Sequence, residues 1–352
     1  MSEEVLLFSD LHIHPHKRSQ ERLEHCLSAL EWVFKTAEER RIENILFGGD
    51  LFHDRQKIEV YTYQRAFEVF AKWNEANKFQ VYLLLGNHDL WFNDRTNVSS
   101  VTPLSAFKNV HVINNPTRKL IGGSYWDFIP YTHNPLLTIE TLKKQTGKAE
   151  YALGHIALDG AILHGTQSAD VAIEHDGDMV KISPSIFQEY KHTFLGHYHA
   201  EQQVSKKVEY IGSPLQLSFG EAFQTKHIIV FNGKTGEKEY IENTFSPKHL
   251  VIDIEDKDNY ELENNYVQLK VTDIGSTDLV AIKKEIQNNA NLASLEIKQQ
   301  RKVIDEHVVK DAKAILQKGD EMLSKYANEV GFEGLEFDKL LSIGQKICQN
   351  ME

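Results

Sequence analysis

Asp, Asn and His recur in this chain at one kind of place, directly after a short apolar run. Val5-Leu6-Leu7-Phe8 leads into Ser9-Asp10-Leu11-His12, and Asn44-Ile45-Leu46-Phe47 into Gly48-Gly49-Asp50-Leu51-Phe52-His53. Val81-Tyr82-Leu83-Leu84-Leu85 leads into Gly86-Asn87-His88-Asp89, and Thr193-Phe194-Leu195 into Gly196-His197-Tyr198-His199. A further run, Tyr151-Ala152-Leu153, ends on Gly154-His155. Carboxylate and amide oxygens combined with imidazole nitrogens, without thiolate, suit manganese, iron or zinc better than calcium or magnesium. Asp10 and His12 stand two apart on what reads as extended chain, so both side chains should point the same way. His197 and His199 repeat that spacing, with Tyr198 turned away. Asp50 has two carboxylate oxygens and can bridge two cations. Two such ions roughly 3.5–4 Å apart can clamp a phosphoryl group and activate the attacking water.

A lone histidine near a strand end is ordinarily a surface group or a satisfied core residue. That reading applies to His14, His16, His25, His111, His133, His164, His175, His192, His227, His249 and His307. It applies less to His12, His88, His197 and His199, which stand in tight pairs or behind a glycine. His155 is intermediate on local grounds.

The elements that must position these groups follow from periodicity. Leu23, Leu27, Leu30, Phe34 and Ala37 fall at helical spacing, with Ser19 as N-cap and Glu21 in the first turn. Tyr63, Phe67, Phe70 and Trp73 mark a second helix ending near Asn77. Strand–helix–strand–helix–strand order over the first ninety or so residues points to right-handed crossovers in a largely parallel sheet. Ligands in such sheets lie beyond the carboxyl ends of the strands, where the polar loops fall. Short alternating segments from Asn109 to Tyr131 suggest a second group of strands, and Leu137–Gln145 a helix. Ser183-Pro184 reads as the start of a helix running through Tyr190. The Asn232–Gly236 turn joins the strands His227–Phe231 and Glu237–Ile241 as a hairpin.

Pro247 marks a change of character. Leu250–Ile254, Tyr266–Val271, a helix over Asp278–Asn288 and Ser294–Lys298 form a small βαβ-type unit without metal-type loops. From about Asp305 the pattern becomes helical and polar.

The bulk properties frame this reading. The 352 residues have room for one large domain with an appendage, or two domains, and the 41% hydrophobic and 26% charged content is that of a globular protein. A net charge of −12 argues against a protein that coats nucleic acid, but not against a nuclease whose cleft holds divalent ions. The two cysteines, Cys26 and Cys348, suggest neither a disulfide framework nor a thiolate zinc site, so a reducing compartment is expected. The start lacks a basic n-region, and no stretch approaches the ~18 apolar residues of a membrane span. A cytoplasmic location, off the membrane, is the expectation.

The ordered blocks Asp10-x-His12, Gly49-Asp50, Gly86-Asn87-His88-Asp89, Gly154-His155 and Gly196-His197-x-His199 resemble the calcineurin-like metallophosphoesterase superfamily. Within it the chain is similar to the double-strand-break-repair nuclease branch, the SbcD-like proteins and their phage counterparts. Gly48-Gly49-Asp50-Leu51-Phe52-His53 lacks the Asp-Arg continuation typical of the protein phosphatases. Gly154–Gly160 is similar to the nuclease form of its block, and Tyr210–Glu221 matches the segment that follows the last block in these nucleases. The specific resemblance covers roughly residues 5–245.

What the resemblance implies is a four-layer α/β/β/α sandwich over 1–247, a small α/β capping domain over 248–304 and a helical tail over 305–352. One ion would be held by Asp10, His12, Asp50 and His199, the second by Asp50, Asn87, His155 and His197. His88 would contact the scissile phosphate and assist the leaving oxygen, with Asp54 or Asp89 as a carboxylate neighbour that could raise its pKa. His53 would lie near the first ion. The activity implied is that of a DNA exo/endonuclease using two divalent ions, Mn²⁺ foremost, with DNA as substrate. The implied partner is an SbcC-like coiled-coil ATPase, in a complex with two copies of the nuclease chain. Two rival readings are a phosphomonoesterase on the same core and a scaffold that has lost catalysis.

Overall fold

The apolar runs are continuous because their strands are buried on both faces. A computed structural model describes residues 2–15, 19–76, 79–92, 95–145, 149–164, 167–168, 173–175, 178–272 and 275–300. In it the first three runs form β1 (Glu4–Phe8), β2 (Asn44–Phe47) and β3 (Gln80–Leu84). With β4 (Val110–Ile113) they pair in parallel, Phe8 level with Phe47 and Phe47 level with Leu83. β15 (His227–Asn232) joins β1 antiparallel, and β16 (Lys238–Glu242) closes that edge as the expected hairpin. A second six-stranded sheet runs in the order β13-β14-β12-β7-β6-β5. It is built from β5 (Thr117–Ile121), β6 (Ser124–Ile129), β7 (Tyr151–His155), β12 (His192–Gly196), β13 (Gln202–Ser205) and β14 (Val208–Tyr210).

Side-chain alternation assigns the layers. Leu6, Phe8, Ile45, Phe47, Val81 and Leu83 pack with Leu23, Leu27, Leu30 and Phe34 of α1 (Gln20–Arg40) and Phe70 of α2 (Val60–Ala76). Their neighbours Val5, Leu7, Leu46 and Leu84 point the other way, against Trp126, Phe128, Tyr151, Leu153 and Phe194 of the second sheet. The outer face of that sheet carries Ala152 and Leu195, covered by Leu142 of α3 (Pro135–Gln145) together with Phe187 and Tyr190. The result is the expected α/β/β/α sandwich. Fully burying an aromatic side chain such as Phe194 contributes about 1.5–3 kcal/mol, so this inter-sheet layer holds the metal-loop strands at a fixed spacing.

α1 starts as expected: the Ser19 hydroxyl accepts from the Arg22 amide, and Glu21 sits in the first turn. The helix expected through Tyr190 is instead one 3₁₀ turn, Pro184–Phe187. Phe187 and Tyr190 are both fully buried, and the Lys191 amide is already donated to Glu150 to begin the β12–β7 pairing, so the chain cannot continue as a helix. Two short hairpins between His155 and Ser183 had no counterpart in the periodicity, β8 (Ile162–His164) with β9 (Gln167–Ser168) and β10 (Ile173–His175) with β11 (Asp178–Val180).

Past Pro247, β17 (His249–Asp253) pairs in parallel with β18 (Tyr266–Thr272), and β19 (Ser294–Gln300) lies on the far side of β18. α4 (Ser276–Asn289) leads from β18 to β19, and Leu250, Ile252, Val267, Leu269 and Ile286 form a small core of their own. Among the described residues, those within 2–270 and 277–298 belong to one compact unit. The helical tail expected over 305–352 and His16 lie outside the described residues. Among the described residues no helix is long and apolar enough to cross a membrane.

Candidate metal centre

All seven side chains expected to hold metal converge on the carboxyl ends of the central strands. The Asp50 Oδ2 atom lies 3.5 Å from His12 Nε2 and 3.4 Å from His155 Nε2, between the two halves of the cluster. On one side His199 Nε2 is 3.1 Å from His12 Nε2, with an Asp10 oxygen 4.0 Å from the same His12 atom. On the other side Asn87 Oδ1 is 3.0 Å from His155 Nε2 and 2.9 Å from His197 Nδ1. The ligand atoms of Asp10, His12 and His199 lie within 4.8 Å of one another, as do those of Asp10, Asp50 and His155. The same holds for His12, His53 and His88, which brings both proposed catalytic histidines to the His12 side.

The backbone gives this convergence a different origin from the one the spacing suggested. Asp10 and His12 are not extended; their φ angles are 53° and 47°, and those of Asp50 and His197 are 63° and 106°. Four of the seven candidate ligands thus occupy left-handed or positive-φ conformations that cost a non-glycine residue free energy and concentrate at functional sites. Close approach also explains two glycines. A Cβ on Gly86 would collide with the Asp50 carboxylate and the His155 ring, and one on Gly49 (φ 106°) with His155 and the Gly86 backbone.

The proton inventory tests whether these residues suit a cation. His155 Nδ1 lies 2.7 Å from the Gly48 carbonyl and so carries its proton there, which leaves the Nε2 lone pair facing Asn87 Oδ1 and Asp50 Oδ2. His199 Nδ1 lies 3.0 Å from the Glu221 carboxylate, which in the same way leaves its Nε2 facing His12. Lone pairs therefore crowd a largely buried space that calls for positive charge. That demand is visible in the titration. Burial opposes protonation of His155, yet Asp50 beside it lifts the ring to about 9. Burial would raise Asp50, but His155 and His12 hold it well below the usual carboxylate range. Burial first, then the His155 charge, drives His197 down to about 3 and keeps it a lone-pair donor. Divalent cations meet the same demand with oxygen and nitrogen donors alone, so the residue set fits them.

His88 is oriented by neither of the carboxylates considered from the sequence. Its Nδ1 donates to the His53 backbone carbonyl, and its amide donates to Asp50 Oδ1 at 2.7 Å. The Asp89 carboxylate turns inward and accepts from the amides of Gly86, Asp50 and Leu51 at 2.9, 2.8 and 3.0 Å. Asp54 lies 3.5 Å from His14 instead. His53 is exposed, its ring 5.4 Å from that of His12 and 4.8 Å from that of His14, and burial together with the His14 charge lowers its pKa. Sequence reasoning missed Asp89 as the tie between two metal loops, and it missed Glu221.

This strand-end arrangement defines a class. Residues 4–201 match the calcineurin-like phosphoesterase family, and the chain belongs to it. Among curated proteins it is similar to exonuclease subunit 1 of Enterobacteria phage T4, 28% identical over 199 residues that make up 55% of this chain and 54% of the phage protein. It is also similar to the SbcD component of the SbcCD nuclease of Bacillus subtilis, at 21% identity over 66% of this chain and 67% of that protein. The SbcD component of Escherichia coli K12 matches at 23% identity over 69% and 68%. The matched region spans about half the length of the phage relative and about two thirds of the bacterial ones. The resemblance to the SbcD-like branch therefore extends beyond the motif blocks.

Proposed function

We propose that this chain is a manganese-dependent DNA exo/endonuclease that hydrolyses phosphodiester bonds at a two-ion site. The observation that carries the proposal is the placement of Asp50 between His12 and His155, with an oxygen–nitrogen donor set on either side. Asp10, His12, Asp50 and His199 would hold one ion, and Asp50, Asn87, His155 and His197 the other. When bound, the pair supplies charge withdrawal from the phosphate and a nucleophilic water at neutral pH.

The chain's own residues do the rest. With Nδ1 committed to the His53 carbonyl, His88 has Nε2 available to contact the scissile phosphate, and as the imidazolium it would give its Nε2 proton to the leaving oxygen and remain neutral with Nδ1–H. His53, exposed at the rim on the His12 side, would contribute beside the first ion. The names of the curated relatives support a nuclease over a phosphomonoesterase. The SbcCD names also support an SbcC-like partner. That this partner is a coiled-coil ATPase, that the nuclease chain is a homodimer in the complex and that the location is cytoplasmic are carried over from the family resemblance as part of the same proposal. The division at 247 and 304 belongs to the same proposal, with the stretch after Lys318, where Met322, Leu323, Tyr326, Leu340, Leu341 and Ile343 stand among charged neighbours, as the segment that docks on the ATPase.

The test is hydrolysis with manganese of labelled duplex DNA, p-nitrophenyl phosphate and bis(p-nitrophenyl) phosphate side by side. Cleavage of DNA and the diester is expected. Turnover of the monoester alone would establish a phosphatase, and inactivity with two bound ions would leave a scaffold.

A further inference from the structure

Glu221 lies far along the chain from every motif block except the last, yet its carboxylate is only 2% exposed and reaches into the centre. Its two oxygens have separate duties. Oε2 is surrounded by donors: Lys226 Nζ at 2.7 Å, the Leu217 amide at 3.1 Å and the Ser213 hydroxyl at 3.3 Å. Oε1 faces the Nδ1 atom of His199 at 3.0 Å. Lys226, itself 6% exposed, also donates to the His199 backbone carbonyl at 2.8 Å and to the Ser213 hydroxyl at 3.0 Å. Ring and backbone of His199 are therefore both held by one buried ion pair. The charge of Lys226 offsets that of Glu221, which a carboxylate buried to this degree requires.

From this geometry we infer that Glu221, held by Lys226, is a positioning residue for the first cation: it fixes the His199 tautomer and aims Nε2 at the point shared with His12 and Asp10. A ring whose Nδ1–H is donated to a carboxylate keeps its Nε2 lone pair free and becomes a stronger donor there. Such partners change metal affinity about 10–100-fold when removed. A carboxylate that only braced the 212–221 loop would need neither an oxygen kept clear of the loop's donors nor its alignment with the ring.

The inference rests on the two-ion reading above, and manganese binding without substrate separates the two. Equilibrium dialysis of the full chain against Mn²⁺ is run on wild type, Glu221→Gln and His199→Ala. Wild type is expected to take two equivalents. Glu221→Gln should weaken one of them about 10–100-fold and leave the other unchanged, and His199→Ala should weaken the same one. Wild type that binds no manganese would overturn both readings. Two wild-type-like equivalents in folded Glu221→Gln would overturn the role of Glu221 alone. Should that variant fail to fold, the ring nitrogens of His199 in the Zn²⁺-loaded wild type decide by ¹⁵N NMR. A proton on Nδ1 is expected, and a proton on Nε2 overturns the assignment.

Discussion

Asp50 Oδ2 and His155 Nε2 lie 3.4 Å apart with the far nitrogen of that ring committed to the Gly48 carbonyl. The same oxygen is 3.5 Å from His12 Nε2, so Asp50 Oδ2 stands within reach of a ring nitrogen in each half of the cluster. Asp50→Asn keeps the shape and an oxygen for the His88 amide but removes the charge that joins the halves. We expect it to abolish manganese-dependent hydrolysis while far-UV circular dichroism stays that of the wild type. Wild-type turnover of bis(p-nitrophenyl) phosphate in this variant would rule out a bridging role.

His88 and His53 should separate by mutation. His88→Ala removes the group with a free Nε2, and loss of general acid catalysis typically lowers rates ~10²–10⁴-fold. His53→Ala keeps the backbone carbonyl that orients His88, so its loss in kcat should be the smaller of the two. Both variants should bind as much manganese as wild type. A missing equivalent in His88→Ala would make that residue a ligand instead.

Much of this site was legible because local chemistry set it. Apolar runs ending abruptly in glycine and polar residues mark strands buried on both faces, and β1, β2 and β3 alternate between two cores as that requires. The ligand types followed from the same breaks. What local pattern could not show was anything supplied by backbone or by distant loops. The carbonyls of Gly48 and His53 fix two rings without leaving a trace in residue type. Glu221 meets His199 from 22 positions away. Asp89 looked like a partner for its neighbour His88, but burial and three backbone donors turn it inward. The left-handed backbone at Asp10 and His12 likewise reflects the pairing of their amides with the Gly49 and Asp50 carbonyls, a contact between separate loops.

Asp89 ties the Asp50 loop to the Gly86 loop, and its replacement should cost stability as well as activity. In Asp89→Asn one oxygen becomes an NH₂ group that faces an amide donor, so at least one buried charge-assisted bond is lost. That loss amounts to about 1.5–3 kcal/mol. Urea unfolding should show a lower midpoint at unchanged slope. An unchanged midpoint would mean that the loops hold each other without the carboxylate.

Away from the candidate metal centre, a buried carboxylate makes stability depend on pH. Glu209 on β14 is 1% exposed and accepts from Lys238 Nζ at 2.7 Å and the Tyr240 hydroxyl at 2.9 Å, with His192 Nε2 at 3.2 Å. Burial alone would raise its pKa, but His192 and Lys238 outweigh burial and place it below its ordinary value. A carboxylate whose pKa is depressed by folding adds stability above its unfolded value, and that contribution disappears as pH falls through the folded value. Glu209→Gln should therefore destabilise at pH 7, where the wild-type carboxylate is ionised in both states. The gap between wild type and variant should narrow as pH drops through and below the ordinary glutamate range near ~4.3. Urea midpoints of both proteins at pH 7, 5 and 3.5 measure it. A gap that stays constant or widens toward acid would show that Glu209 stabilises through its shape rather than its charge.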